Sequence, residues 1–194
     1  MSTNQRYLDL VTGPTSEPVT IASLQANEYL KGVDLTDTET AAFFTTDIIP
    51  SARQIAEEYM NRKLFTQTWN LTLDAPEGHV FFPFGQLQSI SSVKIYNSSN
   101  VAVTESSSRY AIKTGDDGQL WINSGSSWAT TPRSYNAFVI QFVCGWASVA
   151  SIPRDIINGI MSLCAFLYYN REDHSLYQNA CKLFDKHWTI SPGA

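Results

Sequence analysis

The sequence predicts an α+β fold: a mostly helical bundle with an inserted antiparallel β meander over residues 65–146. Three observations lead to this class. An amphipathic stripe with a period of three to four residues covers 36–62, the period changes to two at Phe65, and a second long helical stripe covers 153–171. Because helical patterns flank the strand patterns, we expect the sheet to be an insertion between helices.

The composition is that of a folded protein, and it gives no sign of a basic surface for nucleic acid. The chain has 194 residues, 43 % of them hydrophobic, and a formal net charge of −5. This excludes a disordered chain, and it argues against the basic surface that binds nucleic acid phosphates. Met1 is not followed by an apolar signal segment, and the longest apolar run, 163–169, is too short for a bilayer. We therefore expect a protein that is made in the cytoplasm and binds no membrane.

The first helix is predicted over residues 20–31. Thr20 is a favourable N-cap residue, and Gly32 can end the helix. The second helix, over 36–62, begins with Thr36 or Asp37 as the cap.

The second helix is the clearest element of the sequence. Its apolar stripe steps by three or four residues: Ala41, Phe44, Ile48, Ala52, Ile55 and Tyr59. Pro50 interrupts it, and a proline ring clashes with the carbonyl four residues back. Since the stripe stays in phase across Pro50, we predict a kink and not a break.

Strands follow from Phe65 onward. The first alternates apolar and polar residues over 65–73, and further strand patterns cover 79–84, 89–96, 109–114, 118–122 and 136–146. The turn-forming sequences NSSN at 97–100 and GDDG at 115–118 predict hairpins. The segment 136–146 is the most apolar and is predicted to lie at the centre of the sheet.

The third long helix, 153–171, is apolar over more than half of its circumference. Such a helix is buried on two sides. The sheet can cover one side, and the other needs the second helix or a neighbouring subunit.

A short amphipathic helix is predicted over 176–187, after the polar break at 170–175. The segment has too few residues for a core of its own, so it either folds back or reaches another chain. We predict the second, with one domain over 1–174 and a C-terminal arm over 175–194. Its candidate partner-binding residues are the apolar ones: Leu176, Leu183, Phe184, Trp188 and Ile190.

No catalytic, metal-binding or cofactor-binding motif is present in the sequence. His79, His174 and His187 lie on separate elements without a carboxylate at useful spacing, so they are predicted to be surface residues. Asp116–Asp117 is predicted to be a hairpin turn. Glu57–Glu58 is predicted to be an exposed helix face, with Arg53–Glu57 and Glu58–Arg62 as ion pairs at i,i+4 spacing. The cysteines at 144, 164 and 181 are expected to be buried free thiols. We therefore predict a protein that is not an enzyme and holds no metal or cofactor.

Two alternatives remain open. The strand aromatics are Trp69, Phe81, Phe82 and Phe84. They are predicted to form the core between sheet and helices, but they could instead bind sugars in a small carbohydrate-binding module. A hydrolase built on carboxylates is the second alternative, although the acidic residues are spread evenly along the sequence.

Several ordered motifs resemble a known family. They are EPVTIASLQANEYL, IPSARQIAEEYMNRKLFTQTWNLTLDAP, FPFGQLQSISSVKIY, VIQFVCGW and IPRDIINGIMSLCAFLYYNRED. Together they resemble the head–tail connector proteins of long-tailed bacteriophages, also called adaptor or head-completion proteins. The resemblance covers about residues 8–173. At Met60–Asn61 the chain departs from the glycine or threonine-glycine that is usual in the family.

The resemblance implies a structural protein of the virion neck. Its partners would be the portal protein, further copies of itself in a ring of roughly twelve, and a stopper or tail-completion protein. The ring would extend the channel through which genomic DNA passes without sequence-specific binding. In this family the tails resemble arms that clasp the portal, which is the reason for the predicted role of 175–194.

Overall fold

The computed structural model describes residues 4–26, 28–169 and 174–189, which form a mixed α/β protein with antiparallel sheets. Its contacts divide the chain into two units. The helical unit comprises Thr15–Phe65 and Trp146–Thr189, and the sheet unit comprises residues up to Pro14 and Thr66–Gly145. The predicted division into a domain over 1–174 and an arm over 175–194 stays a prediction.

The helical unit contains five α-helices in its described part. They are α1 (Ile21–Gln25), α2 (Thr38–Phe43), α3 (Ile49–Met60), α4 (Arg154–Tyr169) and α5 (His174–Phe184). The first predicted helix is shorter than expected, ending at Gln25 before a 3-10 turn over Glu28–Leu30. The predicted N-caps are correct: the Thr20 side chain accepts from the Ser23 N–H, and Asp37 accepts from the Thr40 N–H.

A π-helical turn over Phe44–Ile48 joins α2 to α3 and lies directly before Pro50. The Ile49 N–H donates to the Phe44 carbonyl, five residues back. The hydroxyls of Thr45 and Thr46 donate to carbonyls four residues back, at 2.8 and 3.0 Å. The proline predicted to kink the helix is thus accommodated by a wide turn, with Pro50 in the first turn of α3, where its missing N–H is tolerated.

Asn61 ends α3 with φ 50° and ψ 42°, in the left-handed region. Glycine is the usual residue there, and asparagine is the common replacement. Asn61 is therefore compatible with the left-handed backbone conformation that ends α3.

Helix α4 lies at the centre of the helical unit, and ten of its sixteen residues are buried. Both α3 and α5 pack against it. The prediction that the helix over 36–62 covers one side of α4 is confirmed by the packing of α3. The sheet was predicted to cover the other side, but α5 of the same chain packs there, so the apolar circumference of α4 does not require a neighbouring subunit.

The sheet unit contains a five-stranded and a three-stranded antiparallel sheet. The larger one has the order β1 (Arg6–Thr12), β2 (Gln67–Leu73), β8 (Phe138–Cys144), β4 (Leu87–Tyr96), β5 (Ala102–Thr104). The smaller one has the order β3 (His79–Phe81), β7 (Gln119–Ile122), β6 (Tyr110–Lys113). Both predicted hairpins, β4–β5 and β6–β7, are present.

The larger sheet is not the predicted β meander, because its central strand β8 lies between β2 and β4, and neither of these strands is next to β8 in the chain. Strand β8 pairs with both β2 and β4, which confirms its predicted central position. Its alternate residues Phe138, Ile140, Phe142 and Cys144 are fully buried. A strand this apolar is most stable when it pairs along both edges. The pairing of β8 with β2 on one edge and β4 on the other provides this.

Strand β1 was not predicted. It pairs with β2 and forms one edge of the larger sheet. Its apolar residues occupy both faces, so they do not produce the alternation by which a half-buried strand is recognised.

Candidate partner-binding surface

The three histidines lie in different surroundings. His79 is exposed, its Nε2 lies 2.9 Å from Gln119 Oε1, and its ring stacks on Trp121 with centroids 5.0 Å apart. His174 is also exposed. The prediction that no histidine has a carboxylate partner is wrong for His187, whose Nε2 lies 3.4 Å from Asp155 Oδ2.

Asp155, in the first turn of α4, binds two residues that follow α5. Its carboxylate forms an ion pair with Lys186 and contacts His187. The hydrogen bond from Lys186, followed by that from His187, holds the pKa of Asp155 below its ordinary value. The cluster fastens the end of α5 to the start of α4, which is a structural role.

Other candidate chemistry is also accounted for by packing. Among the described residues, no group of three or more histidines, cysteines and acidic residues could hold a metal ion. Cys144 and Cys164 are buried free thiols, as predicted, and burial raises the pKa of Cys164 to about 12. Cys181 is half-buried. No helix in the described ranges is long and apolar enough to cross a bilayer.

The acidic pairs have different roles. Asp116 accepts from Gln86 at 2.7 Å, and Asp117 lies 3.7 Å from Lys113 in the β6–β7 turn, as predicted for a solvated hairpin. Glu57 was predicted to be exposed, and this is wrong, since only 3 % of it is accessible. Its carboxylate accepts from the Leu64 N–H at 2.9 Å and pairs with Arg53 at 3.3 Å.

The strand aromatics pack mainly within the sheet unit. Phe82 is buried against Phe142 at 5.0 Å between centroids, and Trp69 packs on Phe84 at 4.9 Å. Phe81 is partly exposed beside His79. The set proposed for sugar binding therefore does not form one exposed platform.

The described candidate partner-binding residues lie on or just after α5. Phe184 is 1 % exposed and packs beside α4, where a Cβ on Gly159 would lie 2.4 Å from its ring. Leu176 packs against the same core, and Leu183 is half-buried. Trp188 is 56 % exposed. Ile190 lies outside the described residues.

The backbone around Trp188 is fastened to the end of α3. On one side, Arg62 Nε donates to the His187 carbonyl at 2.6 Å. On the other, the Thr189 N–H donates to the Met60 carbonyl at 3.0 Å, and its hydroxyl donates to the Asn61 carbonyl at 2.7 Å. The exposed indole of Trp188 is therefore attached to a backbone that hydrogen bonds hold on both sides.

Sequence reasoning missed these anchoring residues. The contacts join positions more than 120 residues apart, from Arg62 to His187 and from Asn61 to Thr189. The sequence predicts only a local pair of Arg62 with Glu58, because only local partners can be recognised from spacing.

Comparison with known proteins gives matches in structure only. No protein-family description matches the sequence, and no curated protein matches it. A chain in the "Neck of empty GTA particle computed with C6 symmetry" matches with a TM-score of 0.75 and 17 % identity, over 95 % of this chain and 96 % of that one. A chain in the "Virion of native gene transfer agent (GTA) particle" matches with a TM-score of 0.74 and 17 % identity, again over 95 % of this chain and 96 % of that one.

A third similar structure is the "Neck of native GTA particle computed with C12 symmetry", with a TM-score of 0.69, 16 % identity and the same coverage of 95 % and 96 %. The chain thus has the fold of a component of particle necks along nearly its whole length. The resemblance predicted from the sequence is confirmed at the level of the fold.

Proposed function

We propose that this protein is a structural component of the neck of a phage-type particle. It forms a ring of roughly twelve copies on the portal vertex, extends the DNA channel and joins the head to the tail. A stopper or tail-completion protein binds the far side of the ring. The protein is made in the host cytoplasm and becomes part of the virion; it is not an enzyme.

One observation carries this proposal: the match to neck chains includes both units, at 95 % of this chain and 96 % of the other. A match confined to one unit would fit a common fold used for many functions. The symmetry of the similar necks, C6 and C12, supports a ring. The formal net charge of −5 suits a channel that DNA passes without binding.

We further propose that Trp188 binds the portal. Among the four predicted partner-binding residues that the structure describes, it combines high exposure, 56 %, with a backbone held on both sides. An aromatic side chain whose backbone is already ordered loses little entropy on binding, which is typical of an anchor residue. Phe184 supports it indirectly, since its burial on α4 holds α5 in place.

The Trp188→Ala variant tests this directly. We expect binding to portal rings to weaken at least tenfold, since such anchors contribute about 2 kcal/mol or more and 1.4 kcal/mol is a factor of ten. The melting temperature should stay unchanged, because the side chain is largely outside the core. Co-sedimentation with portal rings measures the first quantity and calorimetry the second.

Tyr135→Ala is the matched control, as Tyr135 is an exposed aromatic residue, 65 % accessible, in the sheet unit. It should bind portal as the wild type does. Unchanged portal binding by Trp188→Ala would exclude Trp188 as the anchor. Absence of portal binding by the wild-type protein would contradict the proposed function itself.

A further inference from the structure

Strand β1 carries an unusual amount of exposed apolar surface. Four of its seven residues are large, apolar and 38–52 % exposed: Tyr7, Leu8, Leu10 and Val11. Proteins usually protect an edge strand with lysine, proline or a covering element, because an exposed apolar edge pairs with other chains. In the described ranges 4–26, 28–169 and 174–189, no strand pairs with the outer edge of β1.

The exposed leucines are the ends of rows that cross the whole sheet. Leu8 aligns with Leu71, Ile140 and Val93, and Leu10 aligns with Trp69, Phe142 and Ile90. Leu71, Ile140 and Val93 are at most 1 % exposed, whereas Leu8 is 38 % exposed. The core face of the sheet therefore continues onto β1 without a cover there.

The opposite edge of the same sheet has a matching character. Val103 of β5 aligns with Ile95 and Phe138, so it lies on the same face as the leucine rows. Val101, directly before β5, is 57 % exposed. The outer edge of β5 also has no partner strand within the residues that the structure describes.

The two edges have compatible directions. Every neighbouring pair in the order β1-β2-β8-β4-β5 is antiparallel, so β1 and β5 run in the same direction. A small rotation that relates one copy to the next preserves both strand direction and sheet face. It can therefore bring β1 of one copy beside β5 of the next, with leucines and valines on one face.

We propose that β1 of one copy pairs in parallel with β5 of the next copy, so that one β-sheet continues from subunit to subunit. This inference rests on the proposed ring and specifies its contact. The occupant is a second copy of this chain, because its own β5 provides the direction, face and apolar side chains that β1 requires. Such a contact is heterologous, with different surfaces on its two sides, and is the kind that closes rings.

Disulfide cross-linking tests the pairing. Cys144 and Cys164 are buried, and a Cys181→Ser background removes the half-buried thiol. In this background, Leu8→Cys and Leu10→Cys are each combined with Val103→Cys. The two combinations cover the two registers in which a leucine of β1 can lie opposite Val103 of the next copy. Directly paired strands bring Cα atoms within the range of about 4.4–6.8 Å that a disulfide requires. Rings assembled on the portal protein are oxidised and separated by denaturing electrophoresis.

We expect at least one of these double variants to give a ladder of covalent oligomers that ends at the closed ring. Tyr7→Cys with Val103→Cys is the matched control, because Tyr7 lies on the opposite face of β1 from Leu8; it should give no ladder. Variants with a single introduced cysteine should migrate as monomers in denaturing electrophoresis. Unchanged melting temperatures will establish that the variants fold.

Three results would overturn the inference. Covalent dimers from Leu8→Cys alone would indicate β1–β1 pairing about a two-fold axis. Intact rings in electron micrographs without a ladder in either double variant would place the contact elsewhere, and the proposed function would stand. Absence of rings from both wild type and variants would contradict the inference together with the proposed ring.

Discussion

Glu57 shows how a residue that resembles a surface charge can be part of the core. Its carboxylate accepts a hydrogen bond from the Leu64 N–H, pairs with Arg53 and lies 3.5 Å from Lys63. It thereby fixes the chain as it leaves α3. The sequence predicts the Arg53–Glu57 pair correctly from i,i+4 spacing, but not its burial, because the elements that cover it are distant in sequence.

Replacement of Glu57 by alanine is expected to lower the free energy of unfolding by about 3 kcal/mol. The Leu64 N–H loses its acceptor, and Arg53 and Lys63 lose a buried counter-charge. Glu58→Ala is the control: Glu58 is exposed and accepts from Gln54 at 3.0 Å, so the change should be within about 0.5 kcal/mol. Urea unfolding of the two variants measures both values, and equal stabilities would contradict this account.

The contacts of Asp155 with Lys186 and His187 should make the stability of the folded protein depend on pH. Lys186 and His187 hold its pKa low in the folded protein, so the carboxylate stabilises the fold above its unfolded pKa of about 3.9. This contribution is lost as the pH falls through the folded pKa. Asp155→Asn should therefore melt below wild type at pH 7, and the gap should narrow as the pH falls below about 3.9.

Melting curves from pH 7 downward measure this gap. Asp117→Asn is the control, since the Asp117–Lys113 pair is well exposed and should contribute little at any pH. A gap for Asp155→Asn that stays constant with pH would show that its ion pairs are not the source of the stabilisation.

At the scale of elements, the packing of α5 on α4 depends on a small residue. A Cβ on Gly159 would lie 2.4 Å from the buried ring of Phe184. Gly159→Ala should lower stability by about 1–2 kcal/mol, because overpacking costs about 1–3 kcal/mol and the gain in helix propensity offsets up to about 1 kcal/mol.

Two further variants isolate the contact with Phe184. Gly78→Ala is a control in which the nearest atom is 3.5 Å away, and it should have little effect. In a Phe184→Leu background the cost of Gly159→Ala should shrink, because the ring is gone. Thermal unfolding measures all of these variants; an undiminished cost in the double variant would mean that the helices do not meet at this point.

The elements that the sequence predicts well are those with local signals. The long amphipathic stripes, the N-caps at Thr20 and Asp37 and the two hairpin turns agree with the structure. Strand order could not be obtained in this way, because pairing of β8 with both β2 and β4 depends on contacts between distant segments. The strand β1 was missed because it is apolar on both faces.

The candidate site shows the same limit. The sequence identifies the apolar residues around α5, but it does not show that Trp188 is exposed and Phe184 is buried. That difference depends on packing against α3 and α4, which are distant in sequence. The anchoring of His187 and Thr189 by Arg62 and Asn61 has no local signal at all. The partner-binding role of the whole set stays a prediction.

At the scale of the whole molecule, the chain shares its fold along nearly its full length with a chain of a particle neck, although the two are only 17 % identical. In the described residues, the His187–Asp155 contact and the buried thiols of Cys144 and Cys164 lie in surroundings formed by ion pairs and packing.

The most direct test is electron cryomicroscopy of the neck of particles that carry this protein. The account predicts a closed ring of roughly twelve copies between the portal and the next neck component, with the DNA channel through its centre. A neck that contains one or two copies, or particles whose neck forms normally after the gene is deleted, would contradict it.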